Sequence, residues 1–270
     1  TGRPETVICM HFFSPANVMR LLEVVRGAKS SKAAVATAMA VGRRINKVPV
    51  CVGVCYGFVG NRMLHQRGRE AEKLILEGAP PQQVDKVLVD FGFPMGPFAM
   101  GDLAGLDVGW RIRKGKGLKS AVADRICELG RFGQKTGAGY FRYEKGDRTP
   151  IPDPDVEKII LEVAKDTGVQ RRAVSDDEIL ARLLHPMVNE GAKILEERIA
   201  IRASDIDVIW VYGYGWPVYR GGPMFWADQV GLKTIRDRML ELRRATGDDL
   251  WTPAPLLDRL ATAGQGFVEA

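Results

Sequence analysis

The strongest constraint in this 270-residue sequence is an internal repeat. Glu72-Lys-Leu-Ile-Leu-Glu77, Val84-Asp85-Lys86-Val87, Phe91-Gly92-Phe93-Pro94, Gly96-Pro97-Phe98 and Asp102-Leu103-Ala104-Gly105-Leu106 form an ordered series. It recurs as Gly191-Ala-Lys-Ile-Leu-Glu196, Ile206-Asp207-Val208-Ile209, Tyr214-Gly215-Trp216-Pro217, Gly222-Pro223-Met224 and Asp228-Gln229-Val230-Gly231-Leu232. The offset grows from 122 positions at Asp85 and Asp207 to 126 at the Gly-Pro pairs, so a small loop insertion separates otherwise parallel units. A chain built this way folds as two like helical units. In each, the aromatic-Pro and Gly-Pro segment predicts a rigid turn before a helix, because proline fixes φ and glycine permits tight reversal. For the second copy we expect shared architecture without a catalytic role.

The first 55 residues read differently. Val7 to Phe13, Leu21 to Val25 and Val48 to Val54 are short, strand-like apolar runs, and Ser31 to Ile45 is an alanine-rich helix. Such a piece leaves exposed sheet edges, so it is expected to be cut from a longer α/β domain. From Gly57 the spacing becomes helical, with Pro80-Pro81 opening a helix that stops at Gly92. Residues 144 to 155 are polar and proline-rich and predict a linker; Ser175 and Glu178 predict a capping box that opens the next helical unit. The expected division is 1–56, 57–143, 144–174 and 175–270.

Composition excludes several classes. At 46% hydrophobic residues the chain holds enough for one large core or two modest ones, so it is neither disordered nor a disulfide-stapled miniature. Cys9, Cys51, Cys55 and Cys127 include only one close pair, so no zinc site is expected. Read as reduced, small apolar residues, they point to a cytoplasmic location. No apolar run approaches the roughly 20 residues that cross a bilayer, and no charged-then-apolar signal opens the sequence. The terminal Gly-Phe-Val-Glu-Ala270 is not a peroxisomal tripeptide address. The net charge of +6 comes from scattered basic residues, which argues against nucleic acid and would equally suit the phosphates of a small anionic ligand. The one compact cluster, Arg111 to Lys116, reads as a solvated helix end.

Chemistry gathers near the start. His11 stands where a strand runs into a loop, and Glu23 follows twelve residues later in the next strand. A histidine can take a hydroxyl proton while a carboxylate on its other ring nitrogen fixes the tautomer, which makes a general-base dyad. A lone histidine beside apolar residues is more often structural, and His65 and His185, in helical segments, are read that way.

His11-Phe-Phe-Ser-Pro15, Met19-Arg-Leu-Leu-Glu23-Val-Val25, Gly57-Phe-Val-Gly-Asn61-Arg62 and Phe132-Gly-Gln-Lys135-Thr136-Gly-Ala-Gly139-Tyr-Phe141 together resemble the 3-hydroxyacyl-CoA dehydrogenase family in order and spacing. Tyr212-Gly-Tyr-Gly-Trp-Pro217 and Gly221-Gly-Pro-Met224 further resemble its multifunctional β-oxidation members, in which an enoyl-CoA hydratase precedes the dehydrogenase and the C-terminal helical domain is duplicated. The resemblance implies a mainly α fold: duplicated helical dehydrogenase domains, forming the wall of an acyl-CoA cleft, preceded by the last strands and helix of a Rossmann-type domain. It implies His11 as catalytic base, Glu23 as its partner and Asn61 as the residue that positions the substrate. Lys135 matches a cofactor-contacting lysine. Ser14 stands where many short-chain members have an asparagine beside the nicotinamide, and its alternative is a turn residue before Pro15. The implied cofactor is NAD and the substrate an acyl-CoA thioester. Further partners are the N-terminal domains of a parent chain and a second copy in a homodimer.

One family feature is absent. The strand, Gly-x-Gly-x-x-Gly and helix that bring backbone to the pyrophosphate do not occur here; Gly115, Gly137 and Gly213 begin glycine pairs without the third glycine. A family serine that binds the reacting oxygen also falls outside the sequence. The chain alone is therefore expected to be inactive. Two alternatives stand beside this reading: a related dehydrogenase of another acid or sugar nucleotide, and an interaction or dimerisation module whose duplicated helices and Trp210, Trp216 and Trp226 hold an assembly together.

Overall fold

The computed structural model describes residues 1–269. Among them are twelve α-helices and one three-stranded sheet, grouped in two compact units, Thr1–Gln66 with residues 184 onward and Arg67–Leu183. None of the helices is long and apolar enough to cross a membrane.

In the first unit, β1 (Cys9–Phe12), β2 (Leu21–Arg26) and β3 (Val48–Gly53) lie in that order, β1 antiparallel and β3 parallel to β2. Leu21 to Val25 are all buried, as expected of a strand covered on both faces, and Glu23 is the only charge among them. One cover is α1 (Lys32–Arg44), whose Ala38 packs with Leu22 and Val24 and whose first turn is capped by the Ser31 hydroxyl accepting from the Ala34 amide at 3.2 Å. The other is α9 (Ala203–Gly213), which packs on β2 and β3; a Cβ at Gly213 would collide with Leu21. Residues 184 onward thus join the sheet's unit through long-range packing, not through chain continuity. Trp210 and Trp216 are buried in this core and Trp226 is partly buried. Trp210 and Trp216 fill the fold, so of the three tryptophans only the partly buried Trp226 still lends support to an interaction module.

α2 (Phe58–Glu77) begins in the first unit and enters the second after Gln66, and α8 (Asp176–Glu196) makes the reverse passage after Leu183. The second unit also contains α3 (Pro81–Phe91), α4 (Pro97–Ala104), α5 (Leu106–Lys116), α6 (Ala121–Glu128) and α7 (Pro154–Asp166). α3 starts at its proline, buries Val84, Val87, Leu88 and Phe91 at helical spacing, and ends where Gly92 takes φ 120°. The polar segment after residue 143 leads into α7, which buries Val156, Ile160 and Val163 and packs on α6. At α8 the Ser175 hydroxyl accepts from the Glu178 amide at 3.2 Å, but the reciprocal half of the expected capping box is replaced. The Glu178 carboxylate receives Arg172 and Arg182, because a guanidinium is a stronger partner than a backbone amide.

The repeated words of the sequence carry repeated geometry. Asp85 accepts from the Phe98 and Ala99 amides at the start of α4, and Asp207 from those of Met224 and Phe225 at the start of α10 (Pro223–Val230). A Cβ at Gly96 would collide with Asp85, and one at Gly222 with Asp207. Burial pushes both carboxyls up to about 7. Asp102 accepts from the Tyr140 and Phe141 amides, and Asp228 from those of Phe267 and Val268. Gly105 and Gly231 open α5 and α11 (Leu232–Thr246) with nearly the same backbone angles, and α12 (Pro255–Ala263) packs on α11.

Candidate active site

The site grows out of the register of β1 on β2. His11 lies directly opposite Glu23, so twelve residues of sequence become neighbouring side chains. The imidazole Nδ1 and the carboxylate Oε2 are 2.7 Å apart, with the histidine side chain 27% exposed and the glutamate fully buried. Donation from Nδ1–H to the carboxylate leaves the lone pair on Nε2. The ring sits between Phe13 and Phe58, whose centroids are 4.7 and 5.2 Å away.

The second carboxylate oxygen, Oε1, accepts from the Val59 and Gly60 amides at 3.1 and 3.2 Å. These N–H groups lie in the first turn of α2, where unsatisfied donors and the positive end of the helix dipole favour an anion. The turn from β3 into α2 makes this aim possible, since Gly57 (φ 78°) and Phe58 (φ 49°) are consecutive left-handed residues. Arg62, one turn further, donates to Glu190 at 2.6 Å and forks onto Glu197 at 2.6 and 2.8 Å, fixing the helix start against α8. Those hydrogen bonds raise its pKa.

Asn61 stands in the same first turn of α2. Its Oδ1 accepts from the Tyr214 hydroxyl at 2.9 Å. Ser14 is exposed just past β1 and precedes Pro15 through a cis peptide bond; the loop that follows is tied down by Lys47, which donates to the Ala16 and Met19 carbonyls. The first unit therefore brings together His11, Glu23 and Asn61, with Ser14 two residues beyond β1.

These residues match the sequence profiles of two domains. Residues 1–55 match the 3-hydroxyacyl-CoA dehydrogenase NAD binding domain, and residues 57–143 and 179–266 match the 3-hydroxyacyl-CoA dehydrogenase C-terminal domain. The chain belongs to the 3-hydroxyacyl-CoA dehydrogenase family. It is 48% identical to the peroxisomal bifunctional enzyme of Danio rerio and 45% identical to that of Homo sapiens, in each case over 98% of this chain and 40% or 39% of the relative. It spans about two fifths of the length of the curated relatives it matches. Among solved structures, the dehydrogenase part of multifunctional enzyme 1 from C. elegans superposes with a TM-score of 0.75 at 34% identity, over 96% of this chain and 60% of that one.

The remaining residues singled out from the sequence of this family member lie as follows. Lys135 belongs to the second unit, in a short 3-10 turn, and its ammonium is paired with Asp107 of α5, whose carboxyl it holds below the usual range. His65 stacks on Tyr56, and His185 is buried beside Trp226, with burial and then the nearby Arg238 pushing its pKa down to about 4. All four cysteines are free thiols, and among the described residues no group of three His, Cys, Asp or Glu is placed to hold a metal ion. Sequence reasoning missed the Val59 and Gly60 amides and Tyr214. The first had a local signal in Gly57-Phe-Val-Gly60, a glycine-flanked helix start; the second had none, because Tyr214 reaches Asn61 across 153 residues.

Proposed function

We propose that the protein to which this chain belongs oxidises (S)-3-hydroxyacyl-CoA to 3-ketoacyl-CoA in fatty-acid β-oxidation. The observation that carries this is the buried Glu23 carboxylate bonded on one side to His11 and on the other to the Val59 and Gly60 amides in the first turn of α2. Family membership supplies the reaction class, and the dyad supplies a base of the kind that reaction needs.

Oxidising a secondary alcohol removes a hydride from carbon and a proton from oxygen. NAD, when bound, takes the hydride. His11 Nε2 takes the hydroxyl proton, and the imidazolium formed is stabilised by Glu23, whose second oxygen is already held by two amides. Asn61, its amide oxygen occupied by Tyr214, keeps its N–H groups for the substrate oxygens. Within the first unit, the exposed Ser14, three positions after the base, is the residue that would meet the nicotinamide end of the cofactor. Lys135, the cofactor-contacting candidate of the second unit, is about half exposed and paired with Asp107. The glycine-rich pyrophosphate loop is not among residues 1–270.

In this reading residues 1–56 are part of a Rossmann-type domain, 57–143 and 175–270 are duplicated helical domains, and 144–174 connects them. The matching aspartate-to-amide anchors at Asp85 and Asp207 and at Asp102 and Asp228 support duplication. The relatives named above are peroxisomal by name; a cytoplasmic location for this chain rests on its four free thiols.

The test is acetoacetyl-CoA-dependent NADH consumption by the chain extended through a nucleotide-binding region. Activity that His11→Ala lowers by about 10²–10⁴, the usual worth of a positioned base, establishes reaction and base together. An extended protein with no turnover sinks the substrate assignment, and undiminished turnover in the variant sinks the base.

A further inference from the structure

We infer that Tyr214, contributed by the second helical copy, is a positioning residue for the reacting centre: its hydroxyl sets the orientation of the Asn61 amide. The inference rests on the roles proposed above for His11 and Asn61. Three observations carry it. The Tyr214 hydroxyl lies 2.9 Å from Asn61 Oδ1, an acceptor contact that leaves only amide N–H groups to face a substrate oxygen. The ring occupies the space that a side chain at position 60 would need, since a Cβ on Gly60 would collide with it, so glycine there is the condition for this approach. The same ring meets Phe13 edge-on at 5.5 Å, and Phe13 is one of the two aromatics beside His11.

The repeat separates this role from a structural one. The position equivalent to Tyr214 in the first copy is Phe91, followed by the same Gly-aromatic-Pro turn. A phenylalanine therefore suffices to build the turn, and the hydroxyl is an addition of the second copy alone. Tyr214 is the C-cap residue of α9, which the packing of that helix on β2 and β3 holds in place. Copy two thus supplies a polar atom to a centre whose base and amide come from residues 11 to 61.

The experiment compares wild type, Tyr214→Phe, Asn61→Ala and the double variant in the full-length protein. Tyr214→Phe is expected to keep the thermal midpoint and KM near wild type and to lower kcat about 3- to 10-fold, the worth of one neutral hydrogen bond. In the Asn61→Ala background it should cost nothing more, because its effect passes through the amide. An unchanged kcat in Tyr214→Phe, or the same fold loss with and without Asn61, overturns the inference. Crystal structures of wild type and Tyr214→Phe give a readout independent of turnover. A turned Asn61 amide supports the role and an unmoved one refutes it, even if wild type turns out to have no 3-hydroxyacyl-CoA activity and the functional reading itself fails.

Discussion

Replacing Glu23 by glutamine should nearly abolish turnover while leaving the fold intact, and replacing it by alanine should damage both. Glu23 is fully buried and accepts three hydrogen bonds, at 2.7 Å from His11 and at 3.1 and 3.2 Å from the Val59 and Gly60 amides. In Glu23→Gln the side-chain carbonyl still satisfies the two amides, so stability should change by no more than about 1 kcal/mol. The new NH2 group, however, faces Nδ1 and donates to it. The ring must then carry its proton on Nε2, the atom that has to accept the substrate proton. The equivalent carboxylate-to-amide change in a serine-protease triad costs about 10⁴ in kcat through the wrong tautomer, and a loss of about 10³–10⁴ is expected here. Glu23→Ala instead leaves two helix-start amides without a partner in a buried place, at about 1–3 kcal/mol each, hence about 2–6 kcal/mol in total. The assays are kcat in the acetoacetyl-CoA reaction and the urea midpoint of each variant. A Glu23→Gln enzyme within tenfold of wild type refutes the tautomer argument. A Glu23→Ala protein as stable as wild type refutes the anchoring of α2 on this carboxylate.

Two further perturbations address stability. His185, with its pKa pushed down to about 4 in the folded state and near 6.5 in the unfolded chain, is neutral where the unfolded state already binds a proton. Its contribution is complete above pH 6.5 and lost as pH falls toward 4, about 3 kcal/mol in all, so urea midpoints should fall less steeply with acid in His185→Asn than in wild type; parallel slopes would disprove the assignment. Arg182, 2% exposed, donates to Glu70 at 2.8 Å and forks onto Glu77 at 2.5 and 2.8 Å. Arg182→Met should destabilise by up to about 3–5 kcal/mol because it takes the guanidinium from the Oε2 atom of the buried Glu70, whose Oε1 keeps Lys73 at 2.9 Å, and from Glu77, and adding Glu70→Gln and Glu77→Gln should recover part of that loss; a triple variant no more stable than the single one would contradict the ion-pair account.

Local signals in the sequence reached far into this fold. Ser31 marked the start of α1, Pro80-Pro81 and Gly92 bracketed α3, and the repeated Asp and Gly-Pro words marked pairs of anchors that take the same geometry. Each depends on groups within a helical turn or a short loop of one another, where residue type alone sets the preferred conformation. His11 and Glu23 were legible as candidates because they sit in adjacent strands. Their contact was not, since a register shift of one residue would have sent the two side chains to opposite faces of the sheet.

The contacts that local signals left open lie at longer range. The pairing of Glu178 with Arg172 and Arg182 overrode a local capping rule, and the packing of α9 on β2 and β3 joined residues 184 onward to the first 66. That packing brought the Tyr214 hydroxyl to Asn61. Residue types and their spacing were enough for the kinds of element, their order, the repeated Asp and Gly-Pro words and the residues able to do acid-base chemistry. Which of those residues meet depended on strand register and helix packing. These are set by the burial of many apolar side chains at once, a collective property that no spacing between two residues encodes.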